Sequence, residues 1–307
     1  MSRSILLILS LMLLLICAGL FVVATAMAEA HYITDSLGRV VEVPCEPKRV
    51  VALAPSITEI IYALERQEIL KGATRFSDYP SEAEQLPKVG SYVQLDVERI
   101  AALKPDLCIG IATKDHKLQK GAAQLAALNI PFVALHPEDI ETVMDSIEIV
   151  GELLNATDKA QQIIGDMRIR IARVKQVVAS VPNKPKVFVQ IGVTPIVSAG
   201  SATFINQLIE TAGGINLAAG SSPYPRFSRE QVICLLPEVL IITSMARSTV
   251  FERIKADWFQ WPSIPAVAHN RVFIAPSNTF DRPTPRLVEG LEQMAHYIHP
   301  QLFGEKL

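Results

Sequence analysis

No two cysteines in this chain are spaced for a metal or for a redox pair. The four stand at Cys17, Cys45, Cys108 and Cys234, with no Cys-x-x-Cys and no Cys/His cluster, which excludes zinc-finger and thioredoxin-like chemistry. Three of them follow the N-terminal apolar run, so at most one intramolecular disulfide forms. Cys108 falls in an apolar strand and Cys234 on a helix, and both read as small buried hydrophobes. Aromatic residues are scarce, 6% of the chain with two Trp. Neither sign of charge is in excess: 29 basic residues against 31 acidic ones leave a net charge of −2, which argues against a nucleic-acid partner. The chain has no Gly-x-Ser-x-Gly, Walker loop, Gly-x-Gly-x-x-Gly or His-Glu-x-x-His. The usual signatures of serine hydrolases, nucleotide-binding folds and zinc proteases are therefore missing.

What is present begins with an export signal. Arg3 precedes an apolar run from Ile5 to Val23, and Ala26-Met27-Ala28 fits a small-x-small cleavage site. We assign 1–28 to a signal peptide and the protein to the periplasm. An uncleaved membrane anchor is the alternative, because the run is near the length of a bilayer span. Leu15 and Ile16 are too bulky for a lipid attachment at Cys17. The remaining ~279 residues suffice for two domains of ordinary size.

A segment then occurs twice. Asp96-Val97-Glu98-Arg99-Ile100 runs through Leu103-Lys104-Pro105-Asp106-Leu107. Ser228-Arg229-Glu230-Gln231-Val232 runs through Leu235-Leu236-Pro237-Glu238-Val239, without a gap, 132 residues later. Each copy has a capping residue, a Glu two positions on, a short apolar-faced helix, a Pro that stops it, an acid and a strand. Two copies so far apart predict two similar lobes with a cleft between them.

Strand and helix patterns alternate on both sides of a long helix, so each lobe is α/β with a mainly parallel sheet. Ser56 or Thr58 is placed to cap the helix after the Val50–Ala54 strand. Thr157 or Asp158 is placed to cap a helix with apolar positions at Ile163, Ile164, Met167, Ile171, Val174 and Val178. The expected organisation is an N-terminal α/β lobe over 31–154, a connecting helix over 155–181 and a C-terminal α/β lobe over 182–307.

Several stretches together resemble the helical-backbone solute-binding proteins of ABC importers, which carry cobalamin, ferric siderophores or haem. They are Ser77-Asp78-Tyr79-Pro80, the two repeat copies, Val187-Phe188-Val189-Gln190-Ile191-Gly192 and Pro283-Thr284-Pro285-Arg286. The likeness is strongest to the cobalamin-binding members. It implies a monomeric two-lobed receptor with one long rigid α-helix joining the lobes and the ligand held between them. Such a receptor delivers its ligand to a permease dimer with a cytoplasmic ATPase. Cobalamin is expected as the transported ligand, a ferric siderophore or haem is the alternative, and no cofactor is expected.

The resemblance assigns Glu98 and Glu230 to permease docking. The plainer reading, a carboxylate favouring a helix dipole, holds beside it. Tyr92, Tyr224 and Phe76 stand where the cobalamin-binding members present larger or more polar aromatics to the cleft. Ile191, Asn278, Phe280 and Arg282 fall on matching cleft loops, with Asn278 where those members have an acid. His116 and His136 follow strand ends and are the weak metal candidates, a solvated loop histidine being the competing account. The other histidines, His299 among them, read as surface or terminal residues. A secreted α/β hydrolase is the distant alternative in function.

Overall fold

The computed structural model describes residues 30–91, 94–112, 116–243 and 249–303, without the side chains of 30, 116–119, 249 and 250. The expected leader and Cys17 lie outside the described residues. The chain enters through an antiparallel hairpin, β1 (Ala30–Thr34) and β2 (Val40–Pro44). Asp35 in its turn accepts hydrogen bonds from Arg39 Nη2 at 2.6 Å and from the Ala134 backbone at 3.3 Å, which fixes the hairpin to the lobe behind it.

Strands and helices then alternate: β3 (Val50–Ala52), α1 (Pro55–Ala63), β4 (Leu70–Ala73), α2 (Val97–Ala102), β5 (Leu107–Ile111), α3 (His116–Ala127), β6 (Phe132–Leu135) and α4 (Ile140–Leu153). The long helix α5 (Thr157–Val178) follows. The second lobe carries β7 (Lys186–Gln190), β8 (Ile196–Val197), α6 (Phe204–Thr211), β9 (Ile215–Asn216), β10 (Arg226–Phe227), α7 (Arg229–Leu235) and β11 (Val239–Ile242). It closes with α8 (Thr249–Trp258), α9 (Pro265–Ala268), β12 (Val272–Ile274), α10 (Ser277–Phe280), α11 (Leu287–Ile298) and α12 (Pro300–Phe303).

The two main sheets are parallel and share one topology. Their orders are β4-β3-β5-β6 and β9-β7-β11-β12, so in each lobe the first strand lies between the second and the third. Strands β3, β6 and β11 are buried at every residue, as helices on both faces of a parallel sheet require. The sequence repeat is equivalent in backbone as well. Lys104 (φ 48°) and Leu236 (φ 49°) both turn left-handed before the Pro. Asp106 and Glu238 then accept from the backbone N–H at the start of the neighbouring strand, Lys48 at 2.7 Å and Lys186 at 2.8 Å. The acid after each Pro thus pins the first strand of its sheet.

Helix α5 is 22 residues long, about 33 Å at ~1.5 Å per residue. Ala160, Ile164, Met167, Ile171 and Val174 form its buried stripe. One continuous apolar cluster joins that stripe to Ile109 and Val133 of the first sheet and to Val187 and Ile241 of the second. The outer sheet faces have separate clusters around Phe132 and around Trp258.

Four local expectations are corrected. Neither Ser56 nor Thr58 caps α1: Ala54 is the N-cap, and Pro55 supplies the first helical φ. The Thr58 hydroxyl turns instead to Ala54 O at 3.3 Å and Ser77 Oγ at 2.9 Å. Helix α5 starts after Ala156 with no side-chain cap, because Asn155 (φ 52°) reverses the chain there. Cys234 is exposed while Cys108 is buried, since Val232 is the buried residue of short α7; burial pushes the Cys108 thiol up to about 12. His299 is buried, its Nε2 3.2 Å from Gly213 O, and desolvation lowers its pKa.

Met167 is 1% exposed at the centre of the shared cluster. Replacing it with Ala is expected to cost ~2–5 kcal/mol and to leave a single unfolding transition, measured by urea denaturation followed through two probes. Two separated transitions would contradict a core shared between the lobes.

Candidate functional site

The carboxyl ends of both parallel sheets open on one cleft of about 440 Å³, the position where open α/β sheets hold ligands. The first lobe contributes Ala54, Pro55 and Ser56 at the start of α1, Ile111 at the end of β5, and Pro137 after β6. The second contributes Ile191 after β7, Phe204 and Ile205 of α6, Tyr224, and the loop residues Asp281, Arg282 and Pro283. Most of this surface is apolar, with Ser56, Asp281 and Arg282 as its polar points. A larger groove of about 650 Å³ runs beside β2 on the first lobe alone and gathers no side chains from the second.

The Asp281–Arg286 loop follows α10 and leads into α11. Gly290 lets these helices touch, because a Cβ there would stand 2.4 Å from Thr279 O. The loop reaches across to the first lobe. Arg282 Nη1 donates to Glu59 Oε1 and Asp78 Oδ1, both at 2.8 Å, and Nη2 donates to Phe76 O at 3.2 Å. Arg286 Nε donates to Glu59 Oε2 at 3.0 Å, and its guanidinium lies 3.4 Å from the Tyr79 ring centroid. Glu59 is 4% exposed and Arg282 6%, so the centre of this clasp between lobes is buried, while its Asp78 arm stays exposed. Burial alone lowers the Arg282 pKa, but hydrogen bonds and charge from Asp78 and Glu59 outweigh it and raise it.

Asp281 sits beside the clasp, accepting from Thr243 Oγ1 at 2.9 Å. Burial pushes its carboxyl up to about 6, against the opposing pull of Thr243, Ser277 and Arg282.

Glu98 and Glu230 occupy equivalent first-turn positions on α2 and α7, and both are exposed. Asp96 caps α2 through the Arg99 N–H at 3.1 Å. Ser228 caps α7 in a reciprocal box with Gln231, at 3.2 and 2.7 Å. The Ser228 hydroxyl and a backbone N–H hold the Glu230 carboxyl below its usual range, so it stays ionised and available.

The structure brings Ile191, Tyr224 and Arg282 to the cleft. Arg282 also spends both terminal nitrogens on the clasp, so amide or phosphate capture through its fork is not its role here. Phe76 offers its carbonyl to that clasp and its ring to Arg75, 5.0 Å from the centroid; it is not among the residues lining the cleft. Asn278 gives its backbone oxygen to Arg286 at 3.3 Å. Phe280 is 1% exposed and stacks on Tyr297 at 6.3 Å; it belongs to the core, because α11 packs over it, and its placement as a cleft residue is corrected. Tyr92 lies outside the described residues, as does the His116 side chain. Both ring nitrogens of His136 have partners, Ala112 O at 3.2 Å and Glu138 Oε1 at 2.7 Å, so neither is free for a metal. No cluster of three or more potential metal ligands occurs among the described residues.

Sequence reasoning missed Ser56, Glu59 and Asp281. Glu59 had a signal: it is the single charge in Pro55-Ser56-Ile57-Thr58-Glu59-Ile60-Ile61, where an apolar helix needs a reason to bury one. Asp281 had one too, as the neighbour of Arg282.

The family model for periplasmic binding proteins matches residues 50–279. The chain is 30% identical to the vitamin B12-binding protein of Salmonella typhi over 251 residues, 81% of this chain and 90% of that one. Among solved structures it is similar to the periplasmic vitamin B12 binding protein BtuF of Vibrio cholerae, with TM-score 0.73, 27% identity, and coverage of 84% of this chain and 98% of that one. It is also similar to a periplasmic heme binding protein of Pseudomonas aeruginosa, with TM-score 0.75, 26% identity, and coverage of 83% and 94%.

The raised Asp281 pKa has a measurable consequence. An ordinary carboxyl titrates near 3.8 and this one near 6 in the fold, so the unfolded chain ionises first and stability falls as pH rises from about 4 through 6. Asp281→Asn removes that loss. Its gain in melting temperature over the parent is expected to be larger at pH 7.5 than at pH 5; an equal gain at both would refute the shift.

Proposed function

The chain belongs to the periplasmic binding protein family, and from that premise we propose that it captures a cobalamin-type corrinoid between its lobes and hands it to an ABC permease. Family members are substrate-binding proteins of ABC transporters and are not enzymes, so the hydrolase alternative falls. They act outside the cytoplasm, and the leader over 1–28 is our reading of how this chain gets there.

The observation that carries the reading is the cleft itself. Its two walls come from different lobes, are mostly apolar, and carry a half-exposed aromatic ring, Tyr224, at 53% exposure. Apolar walls and an aromatic face suit the broad ring of a corrin. The Tyr224 loop is held by two strand-like bonds, Gly200 N–H to Pro223 O at 2.8 Å and Ser198 N–H to Pro225 O at 3.0 Å, so its backbone is set before ligand arrives. The B12-binding relatives support the corrinoid, while the heme-binding neighbour keeps haem as the second reading.

Docking follows from the repeat. Glu98 and Glu230 stand on equivalent helix starts of two rigid lobes, and two carboxylates held at a fixed separation match two basic sites on a two-fold transporter.

Calorimetric titration with cobalamin, a ferric hydroxamate and haem tests the ligand. We expect submicromolar one-to-one binding of cobalamin, weakened by at least ~1 kcal/mol in Tyr224→Ala; binding of the iron ligands alone would discard the corrinoid. The double variant Glu98→Ala/Glu230→Ala is expected to lose transport in reconstituted vesicles while keeping ligand affinity. Loss of affinity in that variant would remove docking as the role of these carboxylates.

A further inference from the structure

Strand β7 ends on a buried amide. Val187, Phe188 and Val189 are core residues, and Gln190 beside them is buried too, at 3% exposure. The two-residue alternation of a strand sets its side chain on the face of Phe188, against the cluster of Leu240, Ile242 and Trp258. An amide in such a place is costly unless both of its ends are hydrogen-bonded. Both are. Trp258 Nε1 donates to Gln190 Oε1 at 2.8 Å, and Gln190 Nε2 donates to Gly192 O at 3.0 Å. An indole N–H can only donate, so it fixes which end of the amide is oxygen and turns the NH₂ toward Gly192.

Gly192 stands at the cleft. Ile191, between it and Gln190, lines the wall of the second lobe, and the chain beyond is exposed from Val193 to Pro195. A side chain at Gly192 could not anchor this turn, since its Cβ would stand 2.8 Å from Val197 Cγ2. The turn is held through its backbone instead. On one side Ile191 N–H donates to Val197 O at 2.8 Å. Strand β8 carries that contact on to the Tyr224 loop, through its pairing with β10 and through Ser198 N–H to Pro225 O. On the other side the Gln190 amide holds Gly192 O. Trp258, 1% exposed and with the Arg229 guanidinium over its ring at 5.5 Å from the centroid, gives that amide a fixed base.

We propose that Gln190 is a positioning residue for ligand capture: bonded to Trp258 on one side and to Gly192 O on the other, it holds the Ile191–Gly192 wall of the cleft in the place the ligand meets. This rests on the cleft between the lobes being the ligand site, and not on which ligand fills it.

The test titrates cobalamin and haem into the purified protein and into its Gln190→Met and Gln190→Glu variants, at pH 5 and pH 8. Met keeps the length of the side chain and removes both bonds. Glu keeps the acceptor for Trp258. Its protonated carboxyl, favoured by burial, donates an O–H to Gly192 O, whereas its ionised form sets one oxygen against another. Asp281, reached through Thr243, and the Arg229–Asp257 pair beyond Trp258 are common to all three proteins, so each variant is read against the parent at the same pH. For whichever ligand binds, Gln190→Met is expected to weaken it by roughly threefold to tenfold at both pH values. Gln190→Glu is expected to match the parent at pH 5 and to fall at least as far as Met at pH 8. Parent-like affinity in Gln190→Met, or a Glu-to-parent ratio equal at the two pH values, overturns the proposal. Binding of neither ligand removes the corrinoid and haem readings alone, and hydrogen exchange without ligand then decides the positioning role. Peptides over 191–197 are expected to exchange about tenfold faster in Gln190→Met, with those of β11 unchanged. Unchanged exchange over 191–197, or an equal rise in β11, overturns it.

Discussion

A carboxylate with almost no access to water, Glu59, is held by two guanidinium groups that belong to the other lobe. Desolvating such a group costs several kcal/mol, and its partners offset that cost only while the geometry is kept. Here each carboxylate oxygen has its own donor, Arg282 Nη1 at 2.8 Å and Arg286 Nε at 3.0 Å. Separating the lobes at this point would leave buried charge uncompensated. Helix α5 is the second tie, since its apolar stripe joins both sheets in one cluster, and the Arg170–Glu292 pair, with contacts of 2.9 and 2.6 Å, adds a polar bond from α5 to α11. Two ties of different chemistry leave little room for a hinge that absorbs large backbone changes. The cleft is thus largely formed before a ligand enters it.

The motifs that carry the family resemblance acquire a physical meaning in this light. Ser77-Asp78-Tyr79-Pro80 and Pro283-Thr284-Pro285-Arg286 lie some two hundred residues apart, yet they face each other. Asp78 pairs with Arg282, and Tyr79 lies under Arg286. Ser77 holds the loop down through Thr58 and Thr74, at 2.9 and 3.1 Å. These residues tie one lobe to the other across the base of the cleft loops. The repeated Pro-acid pairs do a different job, fixing the first strand of each sheet through Lys48 and Lys186. The two aligned copies share that use.

Much of the fold could be read from the chain because its signals are local. The repeat announced two lobes, and an unbroken apolar stripe with no proline announced α5. The cap residues were misplaced because Pro55 and the left-handed Asn155 set the helix starts by backbone geometry, which needs no side-chain hydroxyl. The cleft was harder to read. Tyr224 and Ile191 were legible through family motifs, but Phe280 looked like a loop aromatic until α11 was seen to cover it. Arg282 looked like a ligand hand because its acids, Glu59 and Asp78, are distant in sequence. A charge paired through tertiary contact carries no mark of that pairing at its own position.

Arg282 is where the two tasks of the cleft meet. Its Nη1 holds Glu59 and Asp78 and its Nη2 the Phe76 carbonyl, which sets one lobe against the other, and the residue also lines the cleft. A ligand in the cleft therefore lies against a residue that also fixes the lobes. The separation of Glu98 and Glu230 is set by the same tie, since each stands on the first turn of a helix that leads into its own sheet. In the reading proposed here, a two-fold permease meets both carboxylates at once, at a separation that the tie between the lobes sets.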